Sequence, residues 1–147
     1  MNLDDMDEVL NQVVTEFEEQ ARKQDIKFMV KIEKDLPLTF MDTSQIAKAL
    51  SNIIENAFES MPHGGEITLE ATLDNDHIVT SIKDTGCGIA RENLDAVYDP
   101  FFTSKTRGAG LGLTMVHQIL MNHNGELKFE SKKGIGTTVT LRLPVTQ

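Results

Sequence analysis

The stretch DTSQIAKALSNIIENAFESMPHGG, residues 42–65, predicts a long amphipathic helix. Asp42, Thr43 or Ser44 is able to cap its first turn, and Pro62 with the glycines that follow it ends the helix. The apolar residues recur at helical spacing and form one broad face: Ile46, Leu50, Ile53, Ile54, Ala57, Phe58 and Met61. A helix with such a broad apolar face has to pack against another layer of structure.

Segments with the two-residue period of β-strands lie on both sides of this helix. Residues 26–32 alternate between apolar and polar side chains, as in a half-buried strand. Four further segments predict two pairs of strands: EITLEAT (66–72), HIVTSIK (77–83), GELKFES (125–131) and GTTVTLRLP (136–144).

Helical spacing predicts two other helices, at about residues 4–24 and about 112–123, and a short helical piece near 91–97. Runs of strands with helices between them, but without regular βαβ alternation, indicate helices that pack on one side of a sheet. The predicted fold class is therefore α+β. We expect a two-layer α/β sandwich, in which three main helices cover one face of a mixed five-stranded sheet.

Composition limits the possible partners and compartments. A chain of 147 residues that is 39% hydrophobic and 25% charged suits one globular domain, residues 1–147. Its net charge of −9 argues against binding to nucleic acid or to anionic lipid. We expect a cytoplasmic domain, since no segment resembles a membrane span or a signal peptide and Cys87 is the single cysteine.

The segment DPFFTSKTRGAGLGL, residues 99–113, places a glycine at every second position from Gly108 to Gly112. Glycine weakens helices and strands, so this run indicates either a close approach of the backbone to an anionic ligand or a mobile surface loop. Lys105 and Arg107 are the nearby cations that are able to meet phosphate charge. The residues alone leave both interpretations open.

Three further signals are weak when each is taken alone. Asn52 and Asn56 lie four residues apart, on a helix face that we expect opposite the apolar stripe, and this spacing alone favours a solvated face. Asp84 follows a predicted strand and precedes two glycines in DTGCGI, where it is able to hold a local turn. GIGTT precedes the last strand. Neither the dinucleotide-binding G-x-G-x-x-G pattern nor the P-loop pattern is present.

Together and in this order, these segments resemble the catalytic, ATP-binding domain of bacterial sensor histidine kinases. That domain belongs to the GHKL superfamily, with gyrase and the heat-shock chaperones. NIIENAFESM is similar to its asparagine box, DTGCGI to its first glycine box, DPFF to its phenylalanine box, GAGLGL to its second glycine box and GIGTT to its last. The resemblance extends from about residue 8 to about residue 143, is nearest to kinases of the nitrogen-regulation type, and implies the Bergerat fold. Tyr98 and Asn124 depart from it without touching the expected chemistry.

The resemblance implies a site for ATP or ADP with Mg²⁺. Asp84 would accept a hydrogen bond from the adenine amine, Gly86 and Gly88 would let the backbone pass close to the base, and Thr138 would lie at the adenine end through a water. Asn56 would give its amide oxygen to Mg²⁺. Asn52 would lie beside the phosphates.

Residues 99–109 would form a lid over the phosphates, with Lys105 and Arg107 facing the terminal phosphates. The N–H groups would come from the run Gly108, Gly110, Leu111, Gly112 and Leu113. The resemblance therefore implies Asn52, Asn56 and Lys105 as catalytic residues.

Asn52 stands where gyrase, the chaperones and related serine kinases have a glutamate that is able to activate a water or a hydroxyl. The resemblance thus implies phosphoryl transfer to a histidine rather than hydrolysis, with a serine protein kinase of the anti-sigma type or a nucleotide-binding docking module as alternatives. The expected partners are the dimerising phosphoacceptor hairpin of the same full-length protein and the receiver domain of a response regulator. The isolated domain would be a monomer that lacks its acceptor, since no histidine here is followed by an acidic residue and a nearby proline: His63, His77, His117 and His123.

Overall fold

A computed structural model of the protein describes residues 2–86 and 109–145. In these two ranges the elements follow in the order β1 (Asn2–Asp4), α1 (Met6–Lys23), β2 (Ile26–Ile32), β3 (Thr39–Met41), α2 (Thr43–Glu59), β4 (Gly65–Asp74), β5 (His77–Asp84), α3 (Ala109–Asn122), β6 (Glu126–Lys132) and β7 (Gly136–Pro144). The predicted short helix near 91–97 lies outside the described residues.

The main sheet has five strands in the order β2-β4-β5-β7-β6. β2 pairs with β4 in parallel, and the other three pairs are antiparallel, so the sheet is mixed as predicted. A second, two-stranded sheet of β1 and β3 was not predicted, because strands of three residues are too short to show alternation. It joins the main body where the Phe40 backbone N–H donates to the Val145 carbonyl at 3.1 Å.

Alternation along the strands gives the sheet one apolar and one polar side. Residues with buried side chains alternate along the three central strands and face the helices: Ile67, Leu69, Ala71, Ile78, Thr80, Ile82, Asp84, Val139, Leu141 and Leu143. Their neighbours in sequence, such as Glu66, Glu70 and Lys83, are exposed on the other side. The architecture is therefore the predicted two-layer α/β sandwich.

The caps of α1 and α2 are aspartates. Asp5 accepts from the Asp7 backbone N–H at 2.9 Å, and Asp42 accepts from the backbone N–H groups of Ser44 and Gln45 at 3.1 and 3.2 Å. The structure thus selects Asp42 among the three capping candidates. The hydroxyl of Ser44 also donates to Asp42, and these hydrogen bonds lower the pKa of its carboxyl group.

A buried histidine connects the end of α3 with the start of α2. His123 is 1% exposed; its Nδ1 lies 2.8 Å from the Ile119 carbonyl oxygen, and its Nε2 accepts from the Asp42 backbone N–H at 3.0 Å. The ring therefore carries its proton on Nδ1. Asn124 follows with φ 56°, a left-handed conformation that asparagine tolerates better than most residues.

α3 begins at Ala109, three residues before the predicted start near Gly112. Glycine is a poor helix former, so local propensity places the start too late. Among the described residues, none of the helices combines the length and the apolar composition that a membrane span requires.

Candidate nucleotide site

Three polar residues at the end of α2 share one face because they are four residues apart: Asn52, Asn56 and Ser60. With a rise of about 1.5 Å per residue, they extend over about 12 Å along the helix axis. We call these three residues the polar stripe of α2. It connects the region of α3 with the region of Asp84, as the contacts of its two ends show.

Asn52 lies at the α3 end of the polar stripe. It is half-buried, and its Nδ2 group lies 3.8 Å from the sulfur of Met115 on α3. The interpretation of this face as solvated is wrong, because Asn52 contacts α3 and the Nδ2 atom of Asn56 is buried. The exposed face of α2 carries Glu55 and Glu59 instead.

Asn56 lies in the middle of the polar stripe. Its Nδ2 atom is buried and has no hydrogen-bond partner among the described residues. The described residues therefore leave the hydrogen-bonding capacity of this amide unused. Leaving a buried polar group without a partner costs about 1–3 kcal/mol. A half-turn of the amide exchanges Nδ2 with Oδ1, which means that the same position is able to present a neutral oxygen to a cation.

Asp84 is the last residue of β5 and is 7% exposed. Its Oδ1 atom accepts from the backbone N–H of Gly86 at 2.8 Å and from the backbone N–H of Thr137 at 3.2 Å. The bond from Gly86 closes the local turn that the sequence analysis considered for Asp84. Both bonds use the same oxygen, and no described residue is seen to donate to Oδ2. The two bonds thus hold the carboxylate in one orientation.

Burial raises the pKa of the Asp84 carboxyl above its ordinary value, and the hydrogen bonds from Gly86 and Thr137 offset part of that rise. An acidic group with a pKa raised by burial, but still hydrogen-bonded in a fixed orientation, is typical of a functional site.

The backbone makes two close approaches around Asp84. A Cβ atom added at Gly86 would overlap the hydroxyl oxygen of Ser60, and one added at Gly136 would overlap the carbonyl oxygen of Asp84. Gly136 has φ +149°, which side chains rarely adopt. These contacts bring the end of α2, the end of β5 and the start of β7 together at one place, which we call the base end of the site.

Thr138, which the resemblance assigned to the base end, lies on the other side of the sheet. Successive residues of a strand face opposite sides, and Thr138 pairs with the exposed Lys83, whereas Thr137 pairs with Asp84. The prediction is therefore corrected from Thr138 to Thr137. Counting in steps of two from the buried Val139 would have found Thr137 from the sequence.

Sequence reasoning also missed Ser60 and Ser131. Ser60 contacts the position of Gly86, and the Ser131 hydroxyl lies 2.8 Å from the hydroxyl of Thr137. The four-residue spacing from Asn52 and Asn56 was the available signal for Ser60. Ser131 gave none, because its role depends on the pairing of β6 with β7.

Part of the predicted phosphate-binding run lies in α3. Gly110, Leu111 and Gly112 belong to the first turn of α3, which begins at Ala109, and Leu113 follows that turn. The first four N–H groups of an α-helix lack partners in the helix, and here they come from the predicted glycine run. Outside the described residues lie Gly88, Lys105, Arg107, Gly108 and positions 99–108 of the predicted lid.

The described residues contain no group of three or more His, Cys, Asp or Glu side chains that could hold a metal ion. Mg²⁺ does not require such a group, since it keeps several waters and usually takes one or two protein oxygens together with phosphate oxygens. The unsatisfied amide of Asn56 fits that requirement.

Comparison with known proteins identifies the class. The sequence pattern of the histidine kinase-, DNA gyrase B- and HSP90-like ATPase family matches residues 41–147. The chain belongs to this family. Its fold is that of the catalytic domain of histidine kinases, and similar curated proteins carry sensor histidine kinase or sporulation kinase names.

Two relatives illustrate the similarity. Sporulation kinase E of Bacillus subtilis (strain 168) is 38% identical over 130 residues, which are 87% of this chain and 18% of that protein. Sensor histidine kinase ZraS of Escherichia coli (strain K12) is 33% identical over 141 residues, or 96% of this chain and 30% of that protein. The chain thus spans about a fifth to a third of the length of these relatives.

Solved structures agree with the fold. The nucleotide-free catalytic domain of histidine kinase ThkA superposes with a TM-score of 0.85 at 26% identity, covering 96% of this chain and 92% of that one. ThkA in complex with the response regulator TrrA gives a TM-score of 0.82 at 25% identity, covering 99% of this chain and 41% of that one.

Proposed function

We propose that this domain binds Mg²⁺ with ATP and transfers the terminal phosphoryl group to a histidine on a separate helical phosphoacceptor domain. The observation that carries the proposal is Asp84, a buried carboxylate with Oδ1 held by two backbone N–H groups and Oδ2 free of described donors. A fixed acceptor of this kind suits the exocyclic amine of adenine.

The polar stripe of α2 leads from the base end towards the phosphates. Asn56 would supply its amide oxygen to Mg²⁺. Asn52, whose contact among the described residues is a weak one with a thioether, would turn towards phosphate oxygens or the waters of the metal. Bound Mg²⁺ supplies charge neutralisation on the transferring phosphoryl group. ADP would occupy the same site after transfer.

Four backbone N–H groups at the start of α3, those of Ala109 to Gly112, would add donors at the phosphate end. Lys105 and Arg107 would add positive charge, with Gly108 in the same predicted lid. In this arrangement the protein aligns the donor and stabilises charge, which is most of what phosphoryl transfer requires.

The nature of the acceptor follows from Asn52. An amide is not a base, so it cannot remove the proton of a water or a serine hydroxyl as the glutamate expected there in related ATPases would. A neutral imidazole is already a competent nucleophile and needs less activation. The partners would therefore be a phosphoacceptor hairpin of the same full-length protein and the receiver domain of a response regulator, as in the ThkA complex with TrrA. The reaction would take place in the cytoplasm, where ATP is available.

The test separates the chain from its acceptor. Incubated alone with radiolabelled ATP and Mg²⁺, the domain is expected to bind nucleotide and to take up no acid-labile phosphate. Of the described histidines, His123 is a poor acceptor, since it is buried and hydrogen-bonded through both ring nitrogens. When the acceptor hairpin of the same full-length protein is added, acid-labile label should appear on the hairpin.

Two outcomes would contradict the proposal. Acid-stable label on an added protein would favour a serine kinase, and binding of nucleotide without transfer to the hairpin would favour a docking module. A hairpin with its phosphoacceptor histidine replaced by alanine is the matched control, and it should remain unlabelled.

A further inference from the structure

One buried imidazole ring makes hydrogen bonds to the end of α3 and to the cap of α2. His123 follows α3 and is 1% exposed. Its Nε2 atom accepts from the backbone N–H of Asp42, the capping residue of α2, at 3.0 Å. Its Nδ1 atom lies 2.8 Å from the Ile119 carbonyl oxygen of α3. A single side chain thus connects the two helices by directional bonds.

The end of α3 is itself fixed on the sheet. The backbone N–H of Gly125 donates to the Leu120 carbonyl at 2.8 Å, which closes the helix. A Cβ atom added at Gly125 would lie 2.6 Å from the Arg142 carbonyl oxygen of β7, so the chain passes close to that strand here. His123 therefore connects the cap of α2 with a point whose position on the sheet is already determined.

Two contacts define how α2 and α3 align. The first is the bond between His123 and Asp42, and in the second the Met115 sulfur of α3 lies 3.8 Å from Asn52 Nδ2 of α2. Asn52 comes after Asp42 in the chain, whereas Met115 comes before His123. The two helices consequently run antiparallel.

The same alignment places the start of α3 at the level of Asn56. Asn56 lies one helical turn beyond Asn52, and one turn back along α3 from Met115 lies within its first turn, residues 109–112. The proposed function assigns the backbone N–H groups of that turn to the phosphates and the amide of Asn56 to Mg²⁺. A slip of α3 along α2 by one residue would move these groups relative to each other by about 1.5 Å.

The other described packing of α3 is apolar. Its described buried side chains are Val116, Ile119 and Leu120. Apolar burial is non-directional and depends mainly on area, whereas a hydrogen bond weakens steeply away from its optimal distance and angle. Among the described contacts, the bond between His123 and Asp42 is therefore the one that best specifies the position of α3 along α2.

We propose that His123 is a positioning residue that sets the alignment of α3 on α2 and thereby places the first turn of α3 at the level of Asn56. His123 acts through the two helices and not by contact with the nucleotide. The inference rests on the proposed function and concerns the phosphate half of the site. When the bond to Asp42 is lost, other alignments become populated, and the apparent affinity falls with the fraction of molecules in the competent alignment.

Two replacements of His123 separate its two bonds. The amide of glutamine reaches the position of Nε2, so His123→Gln is able to keep the bond from Asp42. The amide of asparagine is one carbon shorter and reaches the position of Nδ1, so His123→Asn keeps only the bond to Ile119. Each variant loses one bond, but only His123→Asn loses the link between the helices.

The contrast between adenosine and ADP with Mg²⁺ measures the phosphate half of the site, because adenosine has no phosphate. The quantity is the ratio of the dissociation constant for adenosine to that for ADP, with NMR titration for the weaker ligand and calorimetry for ADP. We expect His123→Asn to lower this ratio by about three- to tenfold and His123→Gln to retain it. His77→Asn is the matched control, since His77 starts β5, at the opposite end of the strand from Asp84, and should leave the ratio unchanged.

The unchanged domain provides a test that does not depend on the folding of a variant. Nitrogen NMR of the His123 ring should show a proton on Nδ1 and none on Nε2, and the Asp42 amide should exchange slowly with solvent. A ring protonated on Nε2, or a rapidly exchanging Asp42 amide, would overturn the bond on which the inference depends.

The outcomes for the variants are distinct. A merely structural role would lower the unfolding temperature of both variants without changing the ratio of dissociation constants. An unchanged ratio in His123→Asn, an equal loss of affinity for adenosine and ADP, or the same fall in His123→Gln would overturn the positioning role while leaving the proposed function intact. Absence of ADP binding by the unchanged domain would overturn the proposed function and the inference with it.

Discussion

Replacement of Asp84 by asparagine separates binding from stability. The asparagine Oδ1 atom is able to accept the same two backbone hydrogen bonds, from Gly86 and Thr137, that the carboxylate accepts. The second position changes from an acceptor to an N–H₂ donor. That donor would face the amine of adenine, which is also a donor, so we expect weaker binding of ADP and ATP with the fold intact.

The magnitude follows from burial. Asp84 is 7% exposed, so water compensates little for a hydrogen bond that is lost to the ligand. Leaving a buried group badly paired costs about 1–3 kcal/mol. At about 1.4 kcal/mol per factor of ten, the affinity for adenine nucleotides should fall by about 5- to 150-fold. Discrimination against GTP should fall as well, since the new donor is able to reach a carbonyl oxygen.

The effect on stability has the opposite sign. Burial raises the pKa of Asp84 in the folded protein above its value in the unfolded chain. The fold therefore favours the protonated carboxyl, a contribution that is present below the unfolded pKa and lost as the pH rises through the folded pKa. At neutral pH the carboxylate carries a desolvation cost that an amide lacks. Asp84→Asn should consequently unfold at the same temperature as the unchanged domain or at a higher one.

Calorimetric titration with ADP and GDP, combined with thermal unfolding, checks both parts. Asp76→Asn is the matched control, since Asp76 is exposed in the turn between β4 and β5 and should change neither quantity. Unchanged affinity in Asp84→Asn, or equal weakening for ADP and GDP, would refute the assignment of Asp84 to the base. A large fall in unfolding temperature would refute the claim that the amide preserves the local bonds.

Three other predictions concern Asp84, Asn56 and Thr80. ADP affinity should weaken as the pH falls through the raised pKa of Asp84, because the protonated carboxyl presents a poorer acceptor; a titration at several pH values that shows no dependence would count against it. Asn56→Ala should lower affinity in Mg²⁺ but not in a chelator, with Asn11→Ala as control, and equal losses in both conditions would remove Asn56 from the metal site. Thr80→Val should raise the free energy of unfolding by about 1 kcal/mol and Tm by about 2–4 °C, because Thr80 Oγ1 is buried with no described partner. The control Thr72→Val, at an exposed position, should change neither quantity. A lower Tm for Thr80→Val would contradict the prediction.

Much of the site was accessible from sequence because its residues sit in short segments with a recognisable order. Asn52, Asn56, Asp84 and Gly86 were each proposed from motifs, and the structure brings the end of α2 to Gly86 through Ser60. The roles themselves remain predictions. The assignments at Gly88, Lys105, Arg107 and Gly108 fall outside the described residues.

The fold elements were also determined locally. The five main strands follow from two-residue alternation and the three helices from helical spacing, because each pattern reports which side of an element is buried. The Asp42 cap was among three candidates, and its selection depended on local geometry that the sequence alone leaves open.

Contacts between distant segments were decided only by the tertiary structure. The burial of His123, the pairing of β1 with β3 and the pairing of Asp84 with Thr137 all join residues far apart in the chain. Strand register sets which side chains become neighbours, and a shift by one residue turns each side chain to the other face. That is why the resemblance pointed to Thr138 at the base end, while the packed sheet decided that Thr137 rather than Thr138 lies beside Asp84.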